Sequence, residues 1–211
     1  MSLEKFEEYL VPGSDACETM IEKKSRFIGH IWPVETEQEA IDHIKQMREK
    51  HWDASHNVYA YIIKDGPTRY SDDGEPGGTA GMPVLNVLLQ ERVYNVCCVV
   101  TRYFGGTLLG AGGLVRTYSR TAKIALDAAG ICTKRLWDVL TIPCPYGLYE
   151  RVQQELANHD GVTEDTQFAA EVTIRALLPA DRTERFLLRL TDLSSGRLQA
   201  ERTEQVFRAC G

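Results

Sequence analysis

The chain has 211 residues, 43% of them hydrophobic and 26% charged, enough to bury the core of one domain or of two small ones. Its net charge of −6 argues against a nonspecific coat on nucleic acid, so any nucleic-acid contact has to be a local basic patch. No stretch approaches the ~20 apolar positions that a membrane helix needs, and Met1-Ser2-Leu3-Glu4-Lys5 lacks the charged-then-apolar order of a signal peptide; a cytoplasmic protein with no membrane contact is expected.

Cys17, Cys97, Cys98, Cys132, Cys144 and Cys210 make no C-x-x-C pair, and His30, His43, His51, His56 and His159 show no metal-ligand spacing. These thiols read as small core residues in a reducing compartment, with no metal or cofactor implied. Nothing in the pattern sets an oligomeric state.

In chain order, residues 3–10 read as a short helix or a loose lead-in stopped by Pro12-Gly13. Cys17 to Ile31 reads as two strands meeting around Glu22-Lys23-Lys24-Ser25-Arg26. Lys23, Lys24 and Arg26 are then either a phosphate-facing cluster or hairpin-tip charges that blunt a sheet edge. Thr36 to Glu39 has capping-box spacing, and Ala40, Ile41, Ile44 and Met47 continue a scaffold helix.

Val58 to Ile63 reads as a strand. His56 just before it is either a hydrogen-bonded structural histidine or a base. Residues 68–83 read as a loop rich in turn signals, with Thr79 as the cap of a helix over residues 83–89. In that loop Asp72, Asp73 and Glu75 either hold Mg²⁺ or satisfy their own backbone through Asx turns.

Val96-Cys97-Cys98-Val99-Val100 is apolar and largely β-branched, which suits a strand buried on both faces, with Cys97 and Cys98 pointing to opposite sides. A glycine-rich turn follows, with Gly105, Gly106, Gly110, Gly112 and Gly113, and then a helix from Leu114 to a C′ residue at Gly130. A helix that starts beyond such a loop aims free N–H groups at whatever the loop encloses, the geometry of an anion site. Arg116, Arg120 and Lys123 fall at i, i+4 and i+7 on one helix face, either a solvated face or a cationic stripe beside that loop. The loop is neither G-x-x-x-x-G-K-[ST] nor a G-x-G-x-x-G directly after its strand.

Beyond residue 135 the pattern changes. A strand over residues 136–144, a helix marked by Leu148, Val152 and Leu156, strands over 162–168 and 171–178, a helix from Pro179-Ala180-Asp181, and a last strand over 197–207 give the order βαββαβ of a ferredoxin-like domain. Its only candidates for base stacking are Phe168 and Phe207, so a docking role is expected for it.

Lys23-Lys24-Ser25-Arg26-Phe27-Ile28, Ala54-Ser55-His56-Asn57, Tyr70-Ser71-Asp72-Asp73-Gly74-Glu75-Pro76, Gly78-Thr79-Ala80-Gly81 and Arg102-Tyr103-Phe104-Gly105-Gly106-Thr107-Leu108-Leu109-Gly110 occur in that order. Together they resemble the signature blocks of the IMPACT family in its bacterial form. The resemblance implies an α+β protein of two domains. Residues 1–134 would form a two-layer α/β sandwich like domain 2 of ribosomal protein S5, and residues 135–211 a ferredoxin-like domain similar to domains of elongation factor G. It also implies a link to translation, since the eukaryotic relative is a translational regulator that acts by binding protein. No catalytic residue set comes with the resemblance.

The function expected is therefore a non-enzymatic, translation-associated protein that binds RNA or the ribosome. Phosphates would meet Gly105, Gly106, Gly110, Gly112 and Gly113, with charge from Lys24, Arg26, Arg102, Arg116, Arg120 and Lys123. The alternative is a phosphoryl-transfer or phosphoester enzyme with a nucleotide on the glycine loop, Mg²⁺ on Asp72, Asp73 and Glu75, and His56 as base, which requires the two loops to share one cleft. A third possibility is a module that only binds a protein partner.

Overall fold

The computed structural model describes residues 8–209, and the chain divides into two compact units, Tyr9–Thr133 and residues 134–209. The first is led in by β1 (Tyr9–Pro12), a strand where a helix or loose segment is expected from the sequence; residues 3–7 of that expectation lie outside the described residues. The main sheet is antiparallel, with β2 (Ala16–Glu22), β3 (Ser25–Pro33), β4 (His56–Ile62), β5 (Thr68–Ser71) and β6 (Val96–Tyr103) in the order β2-β3-β6-β4-β5. β5 lies within the segment read as loop. Its four residues, Thr68-Arg69-Tyr70-Ser71, lie along β4 at the sheet edge and are too few and too exposed to show alternation in sequence.

α2 (Gly81–Gln90) and α3 (Ala111–Ala129) cover one face of this sheet, and α1 (Glu37–Lys50) packs on the other. β6 is apolar on both sides because it sits between these layers. Cys98 and Val100 pack with Phe27, Leu88 and Tyr118, while Cys97 and Val99 pack with Trp32, Ile44 and Met47. The two adjacent cysteines therefore face opposite cores, as strand alternation requires. Burial pushes the Cys97 thiol up to about 12, so it is an inert core residue.

α1 is capped as its spacing predicts: the Glu39 N–H donates to Thr36 Oγ1 at 3.2 Å. The cap of α2 differs. Thr79 donates to Pro76 O instead, and the helix start is satisfied by Asp72, whose Oδ1 accepts from Ala80 N at 3.0 Å and Gly81 N at 2.8 Å. A carboxylate brought in from eight residues upstream supplies charge as well as an acceptor, so it outcompetes a hydroxyl that already has a nearby carbonyl.

The second unit contains β7 (Ile131–Cys144), α4 (Tyr149–Asn158), β8 (Val162–Phe168), β9 (Val172–Pro179), α5 (Thr183–Ser194) and β10 (Glu201–Ala209). The sheet order β10-β7-β9-β8, antiparallel throughout, is that of a ferredoxin-like fold. Leu140, Ile142, Ile174, Leu178, Phe186 and Leu190 form its core under the two helices. α5 begins at Thr183, after a turn in which Arg182 N donates to Pro179 O, and β10 begins at Glu201, both later than their sequence signals. Among the described residues no helix is long and apolar enough to cross a membrane.

On β3, His30 is buried at 8% exposure and its ring stacks on Trp32. Burial, reinforced by the charges of Lys50 and His51, lowers its pKa to about 4. An imidazole neutral in the fold but ordinary when unfolded contributes stability that is complete above about pH 6.5 and lost as pH falls toward 4. Urea unfolding is expected to show a loss approaching about 3 kcal/mol across that window, and a smaller loss for His30→Gln.

Candidate functional site

The glycine loop connects β6 to α3 and does three separate things. Gly105 is a close-approach residue. A Cβ there would lie 2.1 Å from the Lys24 carbonyl carbon, so only glycine lets the β2–β3 hairpin tip dock beside it. Gly106 and Gly110 have φ of +80° and +73°, which turn the chain toward α3. Gly112 and Gly113 are not loop residues: α3 starts at Ala111, three residues ahead of the sequence expectation, because glycine costs little in the first turn, where N–H groups are unpaired anyway. The first N–H that pairs is that of Leu114, to Gly110 O at 2.9 Å, and no side chain caps the helix.

The hairpin tip is itself unusual. Lys23 and Lys24 have φ of 44° and 67°, and they join the paired residues Glu22 and Ser25 in a two-residue turn. Two left-handed residues in succession define a type I′ turn, where Asn-Gly is preferred. Two lysines held there are strained, and the docking of Gly105 against the Lys24 backbone helps to hold them. Ser25, wholly buried, completes the attachment by accepting from Gly105 N at 3.1 Å.

Arg102, at 5% exposure, is the hub beneath the loop. It donates to Glu75 Oε1 at 2.5 Å and to Ser25 Oγ at 3.5 Å. Tyr118 of α3 donates to the same Glu75 oxygen at 2.8 Å, and its hydroxyl pKa is raised by burial and by that carboxylate. The sequence pattern marks Tyr118 only as an apolar stripe residue and gives Ser25 no role; their polar atoms become informative once Glu75 is seen to be buried. His56 Nδ1 donates to Asp73 O at 2.8 Å, since a carbonyl only accepts, and this leaves Nε2 facing Glu75 Oε2 at 3.7 Å.

The acidic loop does not assemble carboxylates for a metal. Asp72 accepts from the backbone N–H groups of Gly78, Ala80 and Gly81; Asp73 accepts from Asn57 N at 2.6 Å and pairs with Arg48 at 2.9 Å; Glu75 belongs to Arg102 and Tyr118. Asp72 thus caps backbone N–H groups, while Asp73 and Glu75 are engaged by Arg48 and Arg102. The two loops do converge, however. His56, Gly74, Glu75 and Pro76 from one side and Phe104, Leu108, Gly110 and Ala111 from the other line a cavity of about 430 Å³.

The expected basic residues separate into two groups. Arg102 is internal; Arg26 lies over the Tyr103 ring at 4.5 Å; Lys123 is held by Asp127 and by Glu91 at 3.2 Å; Lys24 is exposed at the tip. Arg116 and Arg120, by contrast, line a groove of about 240 Å³ with Lys23, Glu22, Met20, Leu109, Gly113 and Thr117. No salt bridge involves Lys23, Arg116 or Arg120 among the described residues. In the second unit Phe168 packs against Tyr146 and Tyr149, and Lys134 lies over Phe207. Arg175 bonds to Glu164 and Glu204 across the exposed sheet face, so charge pairs lie where a stacking surface would need aromatic rings.

The fold and site define a two-domain α+β protein with an S5-like sandwich ahead of a ferredoxin-like domain. Residues 23–126 match the Impact N-terminal domain, and residues 142–197 match a Domain of unknown function (DUF1949). The chain is similar to the IMPACT family member YvyE of Bacillus subtilis, 36% identical across 88% of this chain and 86% of that protein. It is likewise similar to the IMPACT family member YigZ of Escherichia coli, 34% identical across 92% of this chain and 97% of that protein. A solved structure described as "Crystal structure of an hypothetical protein" is 34% identical with a TM-score of 0.59, covering 94% of this chain and 98% of that one. The chain belongs to the IMPACT family.

Removing Glu75 strands the buried Arg102 guanidinium. Glu75→Ala is expected to destabilise the first domain by about 3–5 kcal/mol in urea unfolding, whereas Glu75→Leu with Arg102→Met, which removes both charges, should recover much of that loss.

Proposed function

We propose that this protein is a translation-associated factor that binds the phosphate backbone of structured RNA, ribosomal RNA included, through the groove between the β2–β3 hairpin and α3. The observation that carries this reading is the convergence of Lys23, Arg116 and Arg120 on one groove, with no salt bridge to any of them among the described residues. Three cations that share one groove, one on the hairpin turn and two on a helix face, suit a polyanion, and they outnumber the single carboxylate of Glu22 in its lining. The link to translation rests on family membership.

Co-sedimentation with ribosomes and isolated subunits across a salt series tests it. Three phosphate contacts give a slope of log affinity against log salt of about −3, and Arg116→Glu with Arg120→Glu should reduce it by about two units while weakening binding throughout. Absence of binding at low salt, or binding untouched by the double substitution, would overturn the reading.

A further inference from the structure

Three aromatic rings of the second unit form one cluster. Tyr146 begins a 3₁₀ turn after β7, Tyr149 begins α4, and Phe168 ends β8. The Phe168 ring lies 6.3 Å from that of Tyr146, at 28° to it, and 5.6 Å from that of Tyr149, edge to face. The Tyr146 hydroxyl donates to Ala169 O at 2.8 Å, which ties its ring to the β8–β9 hairpin. The cluster is open to solvent all the same: Tyr146 is 55% exposed and Phe168 61%, and Pro145, Ala169 and Ala170 are exposed beside them in the chain. Large apolar side chains that are exposed together, rather than singly, mark interaction surfaces.

The charge around the cluster fits a cationic partner. Residues 143–150 and 162–174, which carry the rings, include Glu150, Glu164, Asp165 and Glu171 and no lysine, arginine or histidine. Glu164 is taken by Arg175 and Arg208, but Glu150 and Glu171, both exposed, have no salt bridge among the described residues. Glu171 belongs to the same hairpin turn: its carbonyl accepts from Ala169 N at 3.1 Å, and its charge adds to burial in pushing up the thiol of Cys144, next to Pro145. Arg151, the next residue after Glu150, lines a cleft with Glu155, Arg189 and Asp192. Elsewhere the surface rings already carry a cation of this chain, as Tyr103 carries Arg26, Tyr59 carries Arg48 and Tyr94 carries Lys64. Among the described residues no cation lies over Tyr146, Tyr149 or Phe168.

We propose that this patch docks a basic segment of a protein partner, with an arginine guanidinium laid on the Tyr146 and Phe168 rings and its charge met by Glu150 and Glu171. A guanidinium is planar and weakly hydrated. It stacks on an aromatic face while its N–H groups reach carboxylates, a combination that the compact ammonium of lysine lacks. The same carboxylates repel a phosphate backbone, so the rings do not serve to stack the bases of a nucleic acid. The patch is independent of the groove in the first domain.

Fluorescence anisotropy of a labelled arginine-glycine repeat peptide, titrated with the full chain, tests this. The peptide is expected to bind saturably, about threefold or more tighter than its lysine version and about tenfold or more tighter than its citrulline version, which keeps the shape and loses the charge. Phe168→Ser, at a position that is mostly exposed, should weaken binding by about fivefold. Glu150→Gln with Glu171→Gln should weaken it as well, whereas Asp15→Asn with Glu18→Gln, which removes the same charge from exposed positions of the first domain, should leave it intact. No saturable binding, equal affinity for the lysine or citrulline peptide, indifference to Phe168→Ser, or an equal loss from the first-domain pair would overturn the proposal. Tighter binding of an uncharged proline-rich peptide would give the patch to an apolar segment, and dimerisation of the full chain that Phe168→Ser abolishes would give it to a second copy; either result overturns the proposal too.

Discussion

The first domain depends on one buried ion pair. Arg102 comes from the last turn-out of β6, Glu75 from the acidic loop, and they meet at 2.5 Å with both side chains almost wholly buried. Burying two charges is costly, and such a pair contributes little net stability beside an apolar alternative of equal volume. What it supplies is position. Because neither charge tolerates being left alone, the acidic loop has to reach across to β6, and Tyr118 and Ser25, bonded to the same two residues, bring α3 and the hairpin tip into register with it. The groove and the cavity are both bounded by elements that this cluster ties together.

Much of the fold is legible in sequence because it rests on periodicity. The run from Val96 to Val100 has no polar position and suits a strand covered on both sides; the spacing of Leu114, Tyr118, Ala122, Ala125 and Leu126 suits a helix buried along one face. Both signals are local and repeated. Elements that fail this criterion are the ones misread: β5 is four residues at an exposed edge, and α5 starts late because Pro179 and Ala180 belong to a turn whose bonds are not encoded by any single residue.

The site is less legible because its bonds join residues distant in sequence. That Asp72 rather than Thr79 caps α2 follows from a loop folding back on itself, and nothing in the composition of the loop distinguishes a carboxylate that meets backbone N–H groups from one that meets a metal. Gly105 reads in sequence as one of five equivalent glycines. In the structure it is the one whose missing side chain makes room for another strand's backbone. Lys23 reads in sequence as one of a cluster with Lys24 and Arg26; in the structure it is Lys23 that lines the groove with Arg116 and Arg120.

Charge count alone therefore says little about where a polyanion binds; what matters is which cations are already answered. Arg175, Arg182, Arg189, Arg202 and Arg208 each meet a carboxylate within the second domain, as Arg48, Arg102 and Lys123 do within the first. An answered cation adds nothing to the far field, since its partner cancels it within a Debye length of about 8 Å. The field that an incoming phosphate meets is set by the remainder, and around the glycine loop that remainder includes the three side chains that line one groove. The groove is basic in balance rather than free of acid, since its lining sets three cations against the one carboxylate of Glu22.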